Sequence, residues 1–171
     1  MNPTDAQFTR TNGVFTMTCA VQIRIQAGAE IIWSLLTDAP GFPRWNSTIT
    51  RIEGAIREGE RLRLHVPGTN RTFTPTVSGV VTNRRMIWSD GLPTVFKGVR
   101  NFALEAREEG STNFFMEERF SGVVFALTRG LLPDFQPIFE TYAMDLKRES
   151  ERVALERAGI AGPGGPRCSA T

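Results

Sequence analysis

The chain has 171 residues, 40% of them hydrophobic and 22% charged, with 20 basic side chains against 18 acidic ones. That length suits one domain with a substantial core, and a formal charge of +2 with scattered arginines argues against nucleic acid as a partner. Two cysteines, Cys19 and Cys168, and a single histidine, His65, supply neither a disulfide framework nor an ordinary zinc site.

Residues 1–12 are polar and read as a flexible N-terminus with no secretory signal, and no apolar run is long enough to span a bilayer. The expectation is a reduced, cytoplasmic protein with one domain over residues 13–158. From Gly13 to Gln26 the pattern is β-like, with Val21, Ile23 and Ile25 alternating. Ala29 to Leu36 reads as a short helix, and Pro40, Gly41 and Pro43 confine Ala39 to Asn46 to a second short helix or a structured turn. A run of hairpins follows: Ile49–Ile56, Arg61–Val66, Arg71–Val81 and Met86–Trp88, separated by turn-forming stretches that include Pro67-Gly68-Thr69-Asn70.

Two longer strands, Val95–Ala106 and Thr112–Phe120, flank the turn Glu108-Glu109-Gly110-Ser111. Gly122 to Leu132 is an apolar link, whose Arg129 to Leu132 segment reads as a connector rather than a lid. The last element is a long amphipathic helix from Asp134 to Arg157, on the order of 35 Å in length. Its stripe is Phe135, Ile138, Phe139, Tyr142, Leu146 and Val153, with Ser150 as one polar step and Asp145 and Lys147 on the wet side. Asp134 suits the N-cap, Pro137 is tolerated in the first turn, and Gly159 reads as the stop before a flexible tail over residues 159–171. Consecutive hairpins with one long helix to cover them define an α+β domain, with an antiparallel sheet of about six or seven strands.

Three stretches carry a resemblance: the Ala29–Asp38 helix after an extended strand, Phe42-Pro43-Arg44-Trp45-Asn46 leading into Ile49, and Glu118-Arg119-Phe120-Ser121-Gly122 before the last helix. Together they resemble the polyketide cyclase/dehydrase-like branch of the START-related superfamily, the SRPBCC proteins. The resemblance implies a helix-grip fold, a curved sheet wrapped around the C-terminal helix with an apolar cavity between them. It implies no single reaction, since members include carriers of hydrophobic ligands, cyclases and proteins without an assigned activity.

If opposed residues of the two long strands sum to about 218 (a hairpin loop near five residues), Leu104 faces Phe114, Phe102 faces Met116 and Arg100 faces Glu118, all toward the helix. An Arg and a Glu opposed on an apolar face would pair, because a lone buried charge is expensive. Such a pair either orients a ligand's polar end or only fixes the geometry of the sheet. Many relatives carry a histidine where Arg100 stands, as the resemblance implies. An arginine there speaks against acid–base chemistry. Trp45, Trp88, Phe96, Phe135, Phe139 and Tyr142 are aromatics on the elements that would line the space; any one of them reads more often as plain core, Tyr142 equally as core or ligand contact, and the set together as the lining of a pocket. His65 shares the solvent side of its strand with Arg61 and Arg63 and reads as a bystander.

No glycine-rich phosphate loop or serine nucleophile elbow is present, so no cofactor is expected. The function expected is binding of a small hydrophobic or amphipathic molecule, without membrane insertion. The alternative is a cyclase or dehydratase in which Glu118 acts as acid or base, Arg100 polarises a carbonyl and Tyr142 donates a proton. The state of Glu118 separates them: a carboxyl free of Arg100 would favour catalysis, and a tightly paired one favours binding or structure.

Overall fold

The two longest strands, β8 (Phe96–Ala106) and β9 (Thr112–Ser121), form the hairpin on which the domain is built. Their turn is a short 3-10 segment, Glu108–Gly110, in which Glu109 takes a left-handed φ of 65°. The register pairs Arg100 with Glu118, Phe102 with Met116 and Leu104 with Phe114, the register that the alternation of apolar side chains demands. The computed structural model describes residues 6–68, 72–128, 130 and 134–160. The expectations for Thr69-Asn70, for Arg129 and Leu131-Leu132 and for the tail with Cys168 fall outside those residues.

Around this hairpin a six-stranded antiparallel sheet runs in the order β1-β2-β9-β8-β7-β6. It includes β1 (Gln7–Asn12), β2 (Thr16–Ile25), β6 (Thr76–Val81) and β7 (Arg85–Leu92). The N-terminal segment expected to be loose is thus in part an edge strand. Its polar side chains suit an exposed edge, and Phe8 anchors it with its ring 6.0 Å from that of Phe139. Val14 and Phe15 fall in the β1–β2 turn rather than in a strand and are exposed.

The middle of the chain makes a separate three-stranded sheet from β3 (Arg51–Glu53), β4 (Arg63–His65) and β5 (Thr72–Phe73). The single strand expected over Arg71–Val81 is broken between β5 and β6 by Pro75, which has no N–H to give a ladder. Hydrogen bonds from Leu62 N to Pro75 O and between Val77 and Glu60 carry the small sheet onto β6.

Helices close one face. α1 (Ala29–Thr37) follows Gly28, and a 3-10 turn, Ala39–Gly41, leads into α2 (Phe42–Trp45). The side-chain oxygen of Asn46 then accepts from Thr48 N, Thr48 Oγ1 and Ile49 N, which fixes the exit from Trp45. After β9, the apolar link contains a short helix, α3 (Val123–Thr128), entered through Gly122 at φ 120°. A Cβ at Gly122 would stand 2.4 Å from the carbonyl oxygen of Val95, so only glycine fits there.

The long helix α4 (Gln136–Ile160) crosses the sheet against β2 and α1. Asp134 accepts the Gln136 N–H as expected of a cap. Gly159 does not stop the helix; it lies in the last turn. Asp145 and Lys147, expected on the wet side, are buried. Asp145 accepts from the backbone N–H and hydroxyl of Ser47, at 2.9 and 2.7 Å, as well as from Arg148. Lys147 donates to the carbonyl of Arg24 and to Glu151. Each polar side chain replaces its lost water with protein partners, which is the condition for burying it. The two tie the helix to the α2–β3 loop and to β2.

Candidate functional site

Side chains opposed across an antiparallel sheet share a face, so the registers define rows on the face that meets α4. One row runs Cys19, Glu118, Arg100, Trp88 and Val77 across β2, β9, β8, β7 and β6. The row toward the β7–β8 hairpin holds Met17, Phe120, Gly98 and Asp90, and the row on the other side holds Val21, Met116, Phe102 and Met86. The charged pair is therefore set between mainly apolar rows, with Asp90 as a further carboxylate at the β7 end of one of them.

Arg100 donates from Nε and Nη2 to the same oxygen, Glu118 Oε2, at 3.0 and 2.5 Å. Its guanidinium carbon also lies 5.6 Å from the ring centroid of Phe139 on α4, so the charge rests between a carboxylate and an aromatic face. Burial pulls the Arg100 pKa down, but the charge and hydrogen bonds of Glu118 outweigh it and hold it above its ordinary value. Glu118 Oε1 accepts no hydrogen bond among the described residues. The two side chains keep 20% and 15% of their surface accessible, so this part of the interior is open. Gly98 contributes to the opening: a Cβ there would meet Oε1 only at 3.6 Å, an ordinary contact.

Behind the pair the interior is closed. Tyr142 is 1% exposed, with Phe42, Trp45, Phe102 and Phe114 around it at ring distances of 5.8 to 6.5 Å. Trp88 packs on Phe102 at 4.9 Å and on Phe42 at 6.3 Å. No acceptor among the described residues meets the indole N–H of Trp45 or Trp88, and the Tyr142 hydroxyl has no partner either. Burial pushes the Tyr142 phenol well above its usual range, with Arg100 pulling the other way. An orphaned buried hydroxyl destabilises its protein, so Tyr142→Phe is expected to raise stability by about 1 kcal/mol in thermal or urea melting. A loss of that size instead would show that the hydroxyl has a partner after all.

The ten residues singled out in the sequence thus fall into two groups. Phe96, Arg100, Glu118 and Phe135 are partly accessible, whereas Trp45, Trp88, Phe102, Met116, Phe139 and Tyr142 are buried core. The apolar cavity that the resemblance implied is filled at its centre by these rings, and what stays open is the end at the ion pair. An aromatic column marks that end: Phe125 packs on Phe96 and Phe120, Phe120 on Phe135 at 4.9 Å, and Phe135 on Phe139. Clefts of about 390 and 750 Å³ lie elsewhere, against Arg61 to Arg63 with Thr74 and against Arg24 with Ala106 to Glu109 and Asn113.

Sequence reasoning missed Phe42, Gly98, Cys19 and Phe125 as neighbours of the site. Gly98 was within reach, since it stands two residues before Arg100 on one strand and must share its face. Cys19 is fully buried, and desolvation raises its thiol pKa against the pull of Arg10, which makes it a poor nucleophile. His65 stands on the small sheet with Nε2 3.2 Å from Glu53 Oε1, away from the inner face. It has a carboxylate partner that its sequence neighbourhood did not suggest.

A six-stranded antiparallel sheet gripping a long C-terminal helix defines a helix-grip protein. The model of the family described as polyketide cyclase / dehydrase and lipid transport matches residues 16–151, and the chain belongs to that family. No curated protein matches the chain. Among solved structures it is similar to a START superfamily protein from Mycobacterium smegmatis, at 20% identity over 80% of this chain and 98% of that one, with a TM-score of 0.62. A norcoclaurine synthase point mutant from Thalictrum flavum, in complex with a transition-state analogue, is 13% identical over 89% of this chain and 99% of that one, with a TM-score of 0.60. The di-domain ARO/CYC StfQ of the steffimycin biosynthetic pathway is 12% identical over 85% of this chain and 53% of that one, with a TM-score of 0.63. At these identities the likeness shows the fold. Among the described residues no helix is long and apolar enough to cross a membrane.

Proposed function

We propose that this chain binds a small, mainly apolar molecule by its polar end, seated at the open edge of the grip against Arg100 and Glu118. One observation carries the reading: an ion pair in a mainly apolar face, still partly accessible, with one carboxylate oxygen unbonded among the described residues beside the space left by Gly98. A ligand hydroxyl or amide could donate to that oxygen, and a carbonyl could accept from the guanidinium edge. Apolar walls at Phe96, Phe120 and Phe135 would take the rest of the molecule. The reading also suits the family description, which joins cyclases to lipid transport.

The pairing itself supports binding over catalysis. Both hydrogen bonds from Arg100 fall on one oxygen of Glu118, so the guanidinium and that oxygen are committed to each other rather than to a reacting group. Tyr142, the proton donor of the catalytic alternative, is closed off behind rings.

The test is native mass spectrometry of protein purified from its own host, followed by denaturing extraction. The expected result is a co-purifying small hydrophobe on the wild type that is absent from Arg100→Ala. An empty wild type, with no thermal shift against fatty acids, fatty amides, sterols and aromatic ketones, would overturn the reading.

A further inference from the structure

The end of the grip nearest the ion pair carries exposed apolar side chains. Phe15 in the β1–β2 turn is 56% exposed, Leu92 and Val95 at the β7–β8 hairpin 65% and 45%, and Val123, Val124 and Leu127 on α3 55%, 41% and 80%. The three segments are one surface. Gly122 N donates to Phe15 O at 3.2 Å, Val123 N to Thr94 O at 3.1 Å and Val124 N to Val95 O at 2.9 Å. Single exposed apolar residues are ordinary; a contiguous set marks a contact surface.

We propose that this surface docks on an anionic phospholipid bilayer. Charge selects that occupant. The three segments, residues 12–18, 91–99 and 119–128, contain no aspartate or glutamate and two basic residues, Lys97 and Arg119. Both stand on the outer face of the sheet, opposed to Ser121 and Val99 respectively, and neither makes an ion pair or side-chain hydrogen bond among the described residues. In a chain with nearly balanced charge, an apolar end whose exposed segments carry no carboxylate, with Asp90 behind them bonded to the N–H groups of Thr74 and Gly91 and with two unpaired cations beside them, complements a negatively charged lipid surface. Its shape agrees: the exposed side chains sit on two turns and a short helix, which can sink separately among headgroups and acyl chains. No segment crosses the bilayer in this arrangement.

The surface also has a depth behind it. Phe125 lies under α3 against Phe96 and Phe120, and the column continues through Phe135 and Phe139 to Arg100. The rings pack on one another, so the column backs the patch as core, and the docking itself stands on the exposed patch and its charge.

Vesicle flotation of the full chain tests it, with phosphatidylcholine vesicles prepared with and without phosphatidylglycerol. The wild type is expected to float with the anionic vesicles and to be released as salt rises. Val123→Ser with Leu127→Ser is expected to lower vesicle affinity about tenfold or more, and Lys97→Glu with Arg119→Glu to abolish the preference for anionic lipid. Arg119, Val123 and Leu127 are exposed and Lys97 is half-buried, and unchanged circular-dichroism melting confirms that the variants fold. A wild type that stays down with both vesicle types overturns the proposal, as do apolar-patch variants that float like the wild type. Sedimentation velocity covers the rival occupant: a dimer dissolved by Leu127→Ser assigns the patch to a second copy of the chain instead. Arg100→Ala keeps the two readings apart, because it is expected to lose the ligand while still floating.

Discussion

Arg100→Ala is expected to empty the protein of its ligand and to destabilise it by about 2 kcal/mol. Removing one partner of a fully buried ion pair costs about 3–5 kcal/mol, chiefly because the other charge is left unpaired. Here the pair keeps 20% and 15% of its side-chain surface, so water reaches Glu118 in the variant and reduces that figure. The contact over the Phe139 ring is lost as well. Stability alone would not show what the pair is for. Replacing both members with apolar side chains, Arg100→Met with Glu118→Leu, leaves no orphaned charge and is expected to recover most of the stability measured by urea unfolding. Ligand retention, read by native mass spectrometry, is expected to stay lost. A double variant that is stable and still loaded would reduce the pair to a feature of sheet geometry.

Much of this site was legible because β structure is periodic. Strict alternation along residues 96–106 and 112–120, together with a turn of limited length, leaves few registers. The register that buries Phe102, Leu104, Phe114 and Met116 also sets Arg100 opposite Glu118. The long helix was equally readable from its stripe, and its cap from Asp134. Other features depend on contacts between residues far apart in the chain. Asp145 falls on the polar side of α4 by periodicity, and only the docking of Ser47 on the helix turns it into a buried acceptor. Lys147 is likewise buried by its bond to the Arg24 carbonyl. That Trp45, Phe42 and Tyr142 close the centre of the grip depends on how α2 lies against α4, about which composition and periodicity are silent. Pro75, by contrast, stood in plain view within the expected strand over Arg71–Val81, and its missing N–H was reason enough to divide it.

Phe139→Ala is expected to be the most damaging single truncation of the site, at about 3–5 kcal/mol. The ring is fully buried, and three separate parts of the molecule rest on it: Phe8 of the edge strand β1 at 6.0 Å, Phe135 ahead of α4 at 6.3 Å, and the Arg100 guanidinium at 5.6 Å. Its removal opens a void that these neighbours can fill only by moving, and a loss of that size is a large share of a typical domain's stability. Hydrogen exchange gives the more local signal. Phe8 is the only large apolar residue of β1 and that strand lies at the sheet edge, so its amides are expected to exchange faster in the variant than those of β8. Phe139→Leu keeps an apolar side chain without the aromatic face. Its expected loss is smaller, about 1 kcal/mol, and combining it with Arg100→Met measures what the ring contributes to holding the cation. A coupling of about 0.5–1 kcal/mol would confirm that helix and sheet share the charge. Additive losses would mean that Phe139 holds α4 to the sheet by packing alone and that Glu118 by itself positions Arg100.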